Sequence, residues 1–313
     1  MLHTGIRRYG NPIFAKYPAE KLGLKHWIIS GAYQVTSEDR FSLDQVLIRD
    51  VAPYLHYDFK RFALAGLESA YTAFQSNELN VLSPSWKAMQ LYYSAYYFAH
   101  AMMLSCGIAV KHLKSGEVKK LKAIAQLFDE DWSELGKGTY ELDLDFVTGE
   151  DAVIFVERLM GKGGAHQKLW RRFFKFIEDV EGFYTDADLP NQAEVIGEIS
   201  KLKIALTPNG VSGGDWLSAM RNDLTYQHEF QVWHPSASKS QNRTAIVSSR
   251  FQLSERVRLD VGAKKFPMRR FSNLCVYLIS VGLSLCDLIA GAENPSSQFA
   301  RTWSRARLEF PIP

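Results

Sequence analysis

Cysteine is scarce in this chain: Cys106, Cys275 and Cys286 are the only three, an odd number with no CxxC spacing. A disulfide framework and a thiolate zinc site are therefore not expected, and a reducing, cytoplasmic setting fits best. The sequence also has no GxxxxGK[ST] phosphate loop, no HExxH pair and no GxSxG elbow, so the most specific nucleotide, metal and nucleophile signatures are missing. No metal and no cofactor are expected. Surplus charge is small at +3, which excludes binding of nucleic acid by bulk electrostatics and requires any such site to be a local patch. The opening MLHTGIRRYG lacks an apolar core of signal-peptide length, so secretion is not expected. Long uninterrupted apolar runs are missing as well. Leu91 to Gly107 and Leu274 to Gly291 are broken by Ser, His, Asp or Cys, and read as core helices rather than membrane spans. No repeat and no low-complexity run is visible.

What remains is ordinary globular material. The 313 residues are 46% hydrophobic and 23% charged, enough for one large domain or two small ones with a sizeable core. Residues 1–45 mix Gly10, Pro12, Pro18, Gly23 and Gly31 with short apolar pieces, which predicts an irregular lead-in of turns and short strands. Residues 46–313 read as one helical domain. Apolar residues recur at helical spacing from Tyr57 to Asn77 (Phe59, Phe62, Leu67, Ala70, Phe74), and Ser83-Pro84-Ser85 then introduces a helix from Trp86 to Cys106. That second helix is apolar almost all round, as a helix at the centre of a bundle is.

Acidic residues crowd the stretch from Phe128 to Asp151, which predicts an acidic loop over 128–151 with one short strand at Thr139 to Phe146. It is read as solvated, or as a cover for a basic surface. Helical patterning resumes at Asp151 to Met160, at His166 to Phe183 and at Gln192 to Leu206. Gly161-Lys162-Gly163-Gly164, following an expected helix, reads as a plain connector. Asp215 can cap a helix starting at Trp216. Beyond it, residues 235–270 form a basic segment with a short hairpin or extended loop near Ala245 to Leu253, and a long apolar helix runs from Arg270 to Ala290. A last short helix is expected at Ser296 to Arg307. The fold class is mostly α.

The segment WLSAMRNDLTYQH, Trp216 to His228, holds the most informative chemistry. Arg221 and His228 stand seven apart, and at about 100° per residue a continuous helix brings them to one face, roughly two turns apart. A permanent guanidinium beside a titratable imidazole suits metal-free RNA cleavage, with one group to stabilise phosphorane charge and one to move a proton. The bland alternative pairs Arg221 with a nearby carboxylate and leaves His228 capping the helix end. His100 reads as a hydrogen-bonded core histidine, and Tyr92, Tyr93, Tyr96 and Tyr97 mostly as core, with one or two able to face a cleft.

In its context the segment resembles the Rx4-6H motif of HEPN domains (higher eukaryotes and prokaryotes nucleotide-binding). The likeness rests on Arg221-Asn222 with His228, on the apolar helix LYYSAYYFAHAMMLSC, and on the late position of RNDLTYQH. The commoner family spacing would put histidine where Tyr226 stands. The resemblance implies a HEPN-like helical bundle and a metal-independent endoribonuclease with a role in prokaryotic antiviral defence or as a toxin. Arg221, Asn222 and His228 would be catalytic, with support from Asp223 and Tyr226. RNA is the implied partner, and Arg256, Arg258, Lys264 and Lys265 of the basic segment could track its backbone. A homodimer is expected to build a composite cleft, with Trp216, Leu217 and Met220 available as contact surface, and an antitoxin or regulatory protein is a further implied partner. The alternative is a non-catalytic HEPN-like binding or scaffold module in such a complex.

Overall fold

The computed structural model describes residues 1–10, 16–37, 40–79, 84–148, 151–161, 163–208, 213–233, 246, 259, 266–292 and 297–312. The molecule is mostly helical, with a small antiparallel sheet on one flank. Helix α1 spans Leu2–Gly10 and α2 spans Leu24–Ile28; strands β1 (Gln34–Thr36) and β2 (Ser42–Leu47) follow. The long α3 (Ile48–Leu79) and α4 (Pro84–Leu104) lead into β3 (Ile108–Leu113), α5 (Ser115–Gln126), β4 (Gly138–Thr148) and β5 (Asp151–Arg158). Then come α6 (Ala165–Asp186), α7 (Gln192–Leu206), α8 (Trp216–Asn222), α9 (Pro267–Ala292) and α10 (Gln298–Glu309).

Helix α4 is the hub. Leu91, Tyr92, Ala95, Phe98, Ala99 and Met102 are fully buried, so the all-round apolar pattern does mark a central helix. Phe98 shows how closely its neighbours approach. A methyl added at Gly66 of α3 would stand 2.9 Å from the Phe98 ring, and one at Gly282 of α9 would stand 2.4 Å from it. The two glycines make the recesses into which this ring fits. Helix α9 is the one helix among the described residues long and apolar enough to cross a membrane, and 67% of its most apolar window is buried inside the protein.

The strand order is β1-β2-β5-β4-β3, antiparallel throughout. This corrects three expectations. The N-terminal region does hold short strands, β1 and β2, but they form one side of the sheet and α1 buries Leu2 and Ile6, so it is an ordered part of the fold and not an irregular lead-in. The acidic stretch is largely strand β4, longer than the short strand expected. Tyr140, Leu142 and Leu144 point to the core while Glu141, Asp143 and Asp145 alternate on the other face. Three of its acids are thus one face of a strand, while Asp129, Glu130, Asp131 and Glu134 lie in the irregular residues 128–137. Residues Asp151 to Met160 are not a helix. Ala152, Ile154 and Val156 are buried at period two, opposite β4, whereas an unbroken apolar run cannot by its periodicity tell strand from helix.

Gly161 and Gly163, both at positive φ, therefore join a strand to α6, not a helix to a helix. The sheet is fastened to the bundle by Arg172 of α6, whose buried guanidinium lies 2.6 Å from Glu141 of β4 and 3.3 Å from Asp179 of its own helix. The expected hairpin near Ala245 to Leu253, like most of the basic segment, lies outside the described residues.

Candidate functional site

Asp215 precedes α8 and, instead of bonding the helix's first N–H groups, holds Arg171 of α6 at 2.7 Å. The helix buries Leu217 and Met220, and Trp216 is partly buried, with the Arg270 guanidinium 5.5 Å from its ring centre. These three residues serve the packing of their own chain. Arg221 sits in the last turn. Its Nη2 donates to the Tyr93 hydroxyl of α4 at 3.0 Å, and its Nη1 donates to Asn222 Oδ1 at 3.1 Å and to the Tyr226 hydroxyl at 3.3 Å. The guanidinium carbon lies 5.2 Å from the Tyr226 ring centre, and buried Nε has no hydrogen-bond partner among the described residues. No ion pair neutralises Arg221 among the described residues, so the bland alternative of a carboxylate partner is not what the structure contains.

The helix does not continue to His228 in α geometry. Residues Asp223–Gln227 form a π turn, closed by the His228 N–H bonding to the Asp223 carbonyl, and His228 itself is left-handed at φ 53°, ψ 31°. A π turn spends more residues per revolution than an α turn, so the seven-residue spacing no longer returns the two side chains to one face. No hydrogen bond joins Arg221 to His228. The imidazole is exposed and stacks on Trp233 at 5.4 Å, and Trp233 in turn meets Trp86 edge-on and donates to the Leu224 carbonyl at 2.7 Å. Thus His228 does end the helix, while Tyr226 takes the place beside Arg221.

Asn222 is partly buried and spends its carbonyl on Arg221. Asp223 pairs with no cation among the described residues, and partial burial, then the nearby Glu229, hold its carboxyl above the usual range. Tyr226 is 71% exposed, free to meet a ligand with the far edge of its ring. Arg256, Arg258, Lys264 and Lys265 lie outside the described residues.

The structure adds a histidine that the sequence reading passed over. His166, near the start of α6, shares a 2.9 Å hydrogen bond between its Nδ1 and the Tyr92 hydroxyl, which also accepts from Trp170 Nε1 at 3.1 Å. Its ring lies 4.4 Å from Tyr96 and 5.9 Å from Tyr93, the tyrosine that holds Arg221. Burial, and then repulsion from Arg221, push its pKa down to about 4. It is neutral at pH 7. Nothing near His166 in sequence announces this role, because its partners come from α4 and α8.

Chemically the site offers one unneutralised guanidinium, three tyrosine hydroxyls and a neutral imidazole across α4, α6 and α8. No group of His, Cys, Asp and Glu that could hold a metal occurs among the described residues. A cavity of about 500 Å³ over β4 and β5 is lined by Arg40, Glu141, Asp143, Phe155 and Arg158, and Arg221 is not part of it. Comparison with family models, with curated proteins and with solved structures gave no match.

Proposed function

We propose that this chain is a metal-independent endoribonuclease of HEPN type, acting as a homodimer in prokaryotic antiviral defence or as a toxin. The observation that carries the reading is Arg221: a guanidinium with no carboxylate partner and an unused buried Nε among the described residues, steadied by Tyr93 and Tyr226. Such a group is suited to a phosphate, whose oxygens accept charge-assisted hydrogen bonds and whose transition state gathers negative charge. His166 supplies the proton transfer. When Nδ1–H donates to the Tyr92 oxygen, Nε2 is left as the acceptor for a ribose 2′-OH proton. Burial depresses this imidazole most, and a phosphate on Arg221 offsets the smaller part due to repulsion and so raises its basicity. The 2′-oxygen attacks phosphorus, the 5′-oxygen leaves, and the product carries a 2′,3′-cyclic phosphate. His228 would act from the rim as the acid for the leaving oxygen.

A second reading has its own support. The left-handed break that separates His228 from Arg221 favours an RNA-binding module that keeps the guanidinium and does no chemistry. Incubation with RNA in EDTA separates the two, scored for cyclic phosphate ends. Cleavage should fall about 10²- to 10⁴-fold in Arg221→Ala and in His166→Ala, the usual worth of such groups. Cleavage retained in both would remove the site. RNA binding that depends on Arg221, without cleavage by the wild type, would establish the binding module instead.

A further inference from the structure

Away from Arg221, a cavity of about 520 Å³ lies between α2, α3, α4 and β3. Its volume is in the range that takes a small organic ligand. Asp58 at its base accepts from Lys111 Nζ at 2.6 Å and from Arg61 Nη2 at 3.2 Å, so two cations share one carboxylate and a positive charge is left over. Lys25, also on the wall, is answered by Glu117 at 2.7 Å. Hydrogen-bonding capacity is left over too. Arg61 uses one of its five donors and Lys111 one of its three.

A second, independent feature points into the same space. His100 is only 6% exposed, lines the cavity, and makes no hydrogen bond to a described residue. Its ring is stacked on Phe62 at 4.2 Å and 4°, which fixes the orientation of its nitrogens. Burial keeps it neutral, able to donate from one nitrogen and accept at the other. With no partner among the described residues, its nitrogens are available to a guest in the cavity that it lines. Tyr57, half-buried at the wall, has no ring neighbour among the described residues and offers a stacking face.

We infer that this cavity binds a small phosphomonoester carrying a flat ring. The phosphate sits between Arg61, Lys111 and His100, and the ring lies on Tyr57. A tetrahedral oxyanion with three terminal oxygens uses donors arriving from several directions, where a carboxylate offers only two oxygens in one plane. The inference does not rest on the ribonuclease reading, since none of these residues belongs to the Arg221 cluster.

Calorimetric titration of the full chain tests it, with AMP, UMP and phenyl phosphate as ligands and with benzoate and inorganic phosphate as counterparts. The ring-bearing phosphates should bind, benzoate and inorganic phosphate at least about tenfold more weakly. Arg61→Gln should weaken phenyl phosphate about tenfold, the worth of one charge-assisted bond, when the titration is made in an Arg221→Ala background that removes the other phosphate site. The Arg61 side chain is half exposed, so its replacement spares the fold, which a thermal melt checks. No heat from any phosphate overturns the proposal. So does equal binding of benzoate, or of inorganic phosphate alone, or binding that Arg61→Gln does not alter.

Discussion

Asp58 joins three elements of the fold. It accepts from Lys111, from Arg61 and from the Leu24 N–H at 2.9 Å, tying α2 and β3 to α3. Asp58→Ala would strand the buried Lys111 ammonium, and a loss of about 3–5 kcal/mol is expected in urea unfolding. Gly23 lies so close that an added methyl would stand 2.5 Å from Asp58 Oδ1, so Gly23→Ala should also destabilise, by the steric route. His166 gives a pH signature with a definite sign. Its folded pKa of about 4 lies below the ordinary 6.5, so the unfolded chain takes up the proton first as pH falls. The stability due to the neutral ring is whole above pH 6.5 and is lost on the way down to pH 4. Because burial lowers His56 and His100 as well, the test is a difference: the gap between wild type and His166→Gln should narrow from pH 7 to pH 4. Parallel curves would remove His166 from the account.

Among the elements, the turn after α8 has the largest effect on the proposed chemistry. His228 adopts a left-handed conformation that costs an L side chain about 1–2 kcal/mol, and glycine almost nothing. His228→Gly should therefore be more stable than His228→Ala by about 1 kcal/mol, measured by urea midpoints; equal midpoints would mean that the turn is regular helix in solution. In the core, Gly282→Ala drives a methyl into Phe98, and a loss of about 1–3 kcal/mol is expected. Legibility varied with the physics of each element. Helix α7 was read with its observed bounds, since its apolar rows keep helical period between clear breaks. Helix α3 was read from Tyr57 but starts at Ile48, with Pro53 inside it. Strand β5 was misread because AVIFV is apolar on both faces. Strand β3 and helix α5 went unread. The π turn could not be foreseen, for a one-residue slip in hydrogen-bond register alters no composition and no spacing.

For the whole molecule, the mostly helical class was visible from helix periodicity, while the sheet was not, because its pairings join residues far apart in sequence. Arg221 was singled out in the sequence by its likeness to a motif, whereas His166 comes near it only through the fold. The proposed homodimer predicts a light-scattering mass of two chains at micromolar concentration, and a monomer that still cleaves RNA would rule out a cleft shared between copies. Its contact surface is not the inward-facing Leu217 and Met220, whereas Trp86 at 54% exposure and Tyr226 are available beside the site. Mixing wild type with an excess of an Arg221→Ala, His166→Ala double variant should depress activity beyond dilution if two chains build one cleft. The fit of Phe98 between Gly66 and Gly282 also has a consequence for biosynthesis. Helix α4 leaves the ribosome with one wall of its socket, on α3, already made, and the other, on α9, is translated only after the sheet and α5 to α8. Through that interval a nearly all-apolar helix stays half covered, so the nascent chain should depend on chaperones more than its modest size suggests. Release of α9 closes the core in one late, long-range step, in competition with any membrane that this apolar helix meets first.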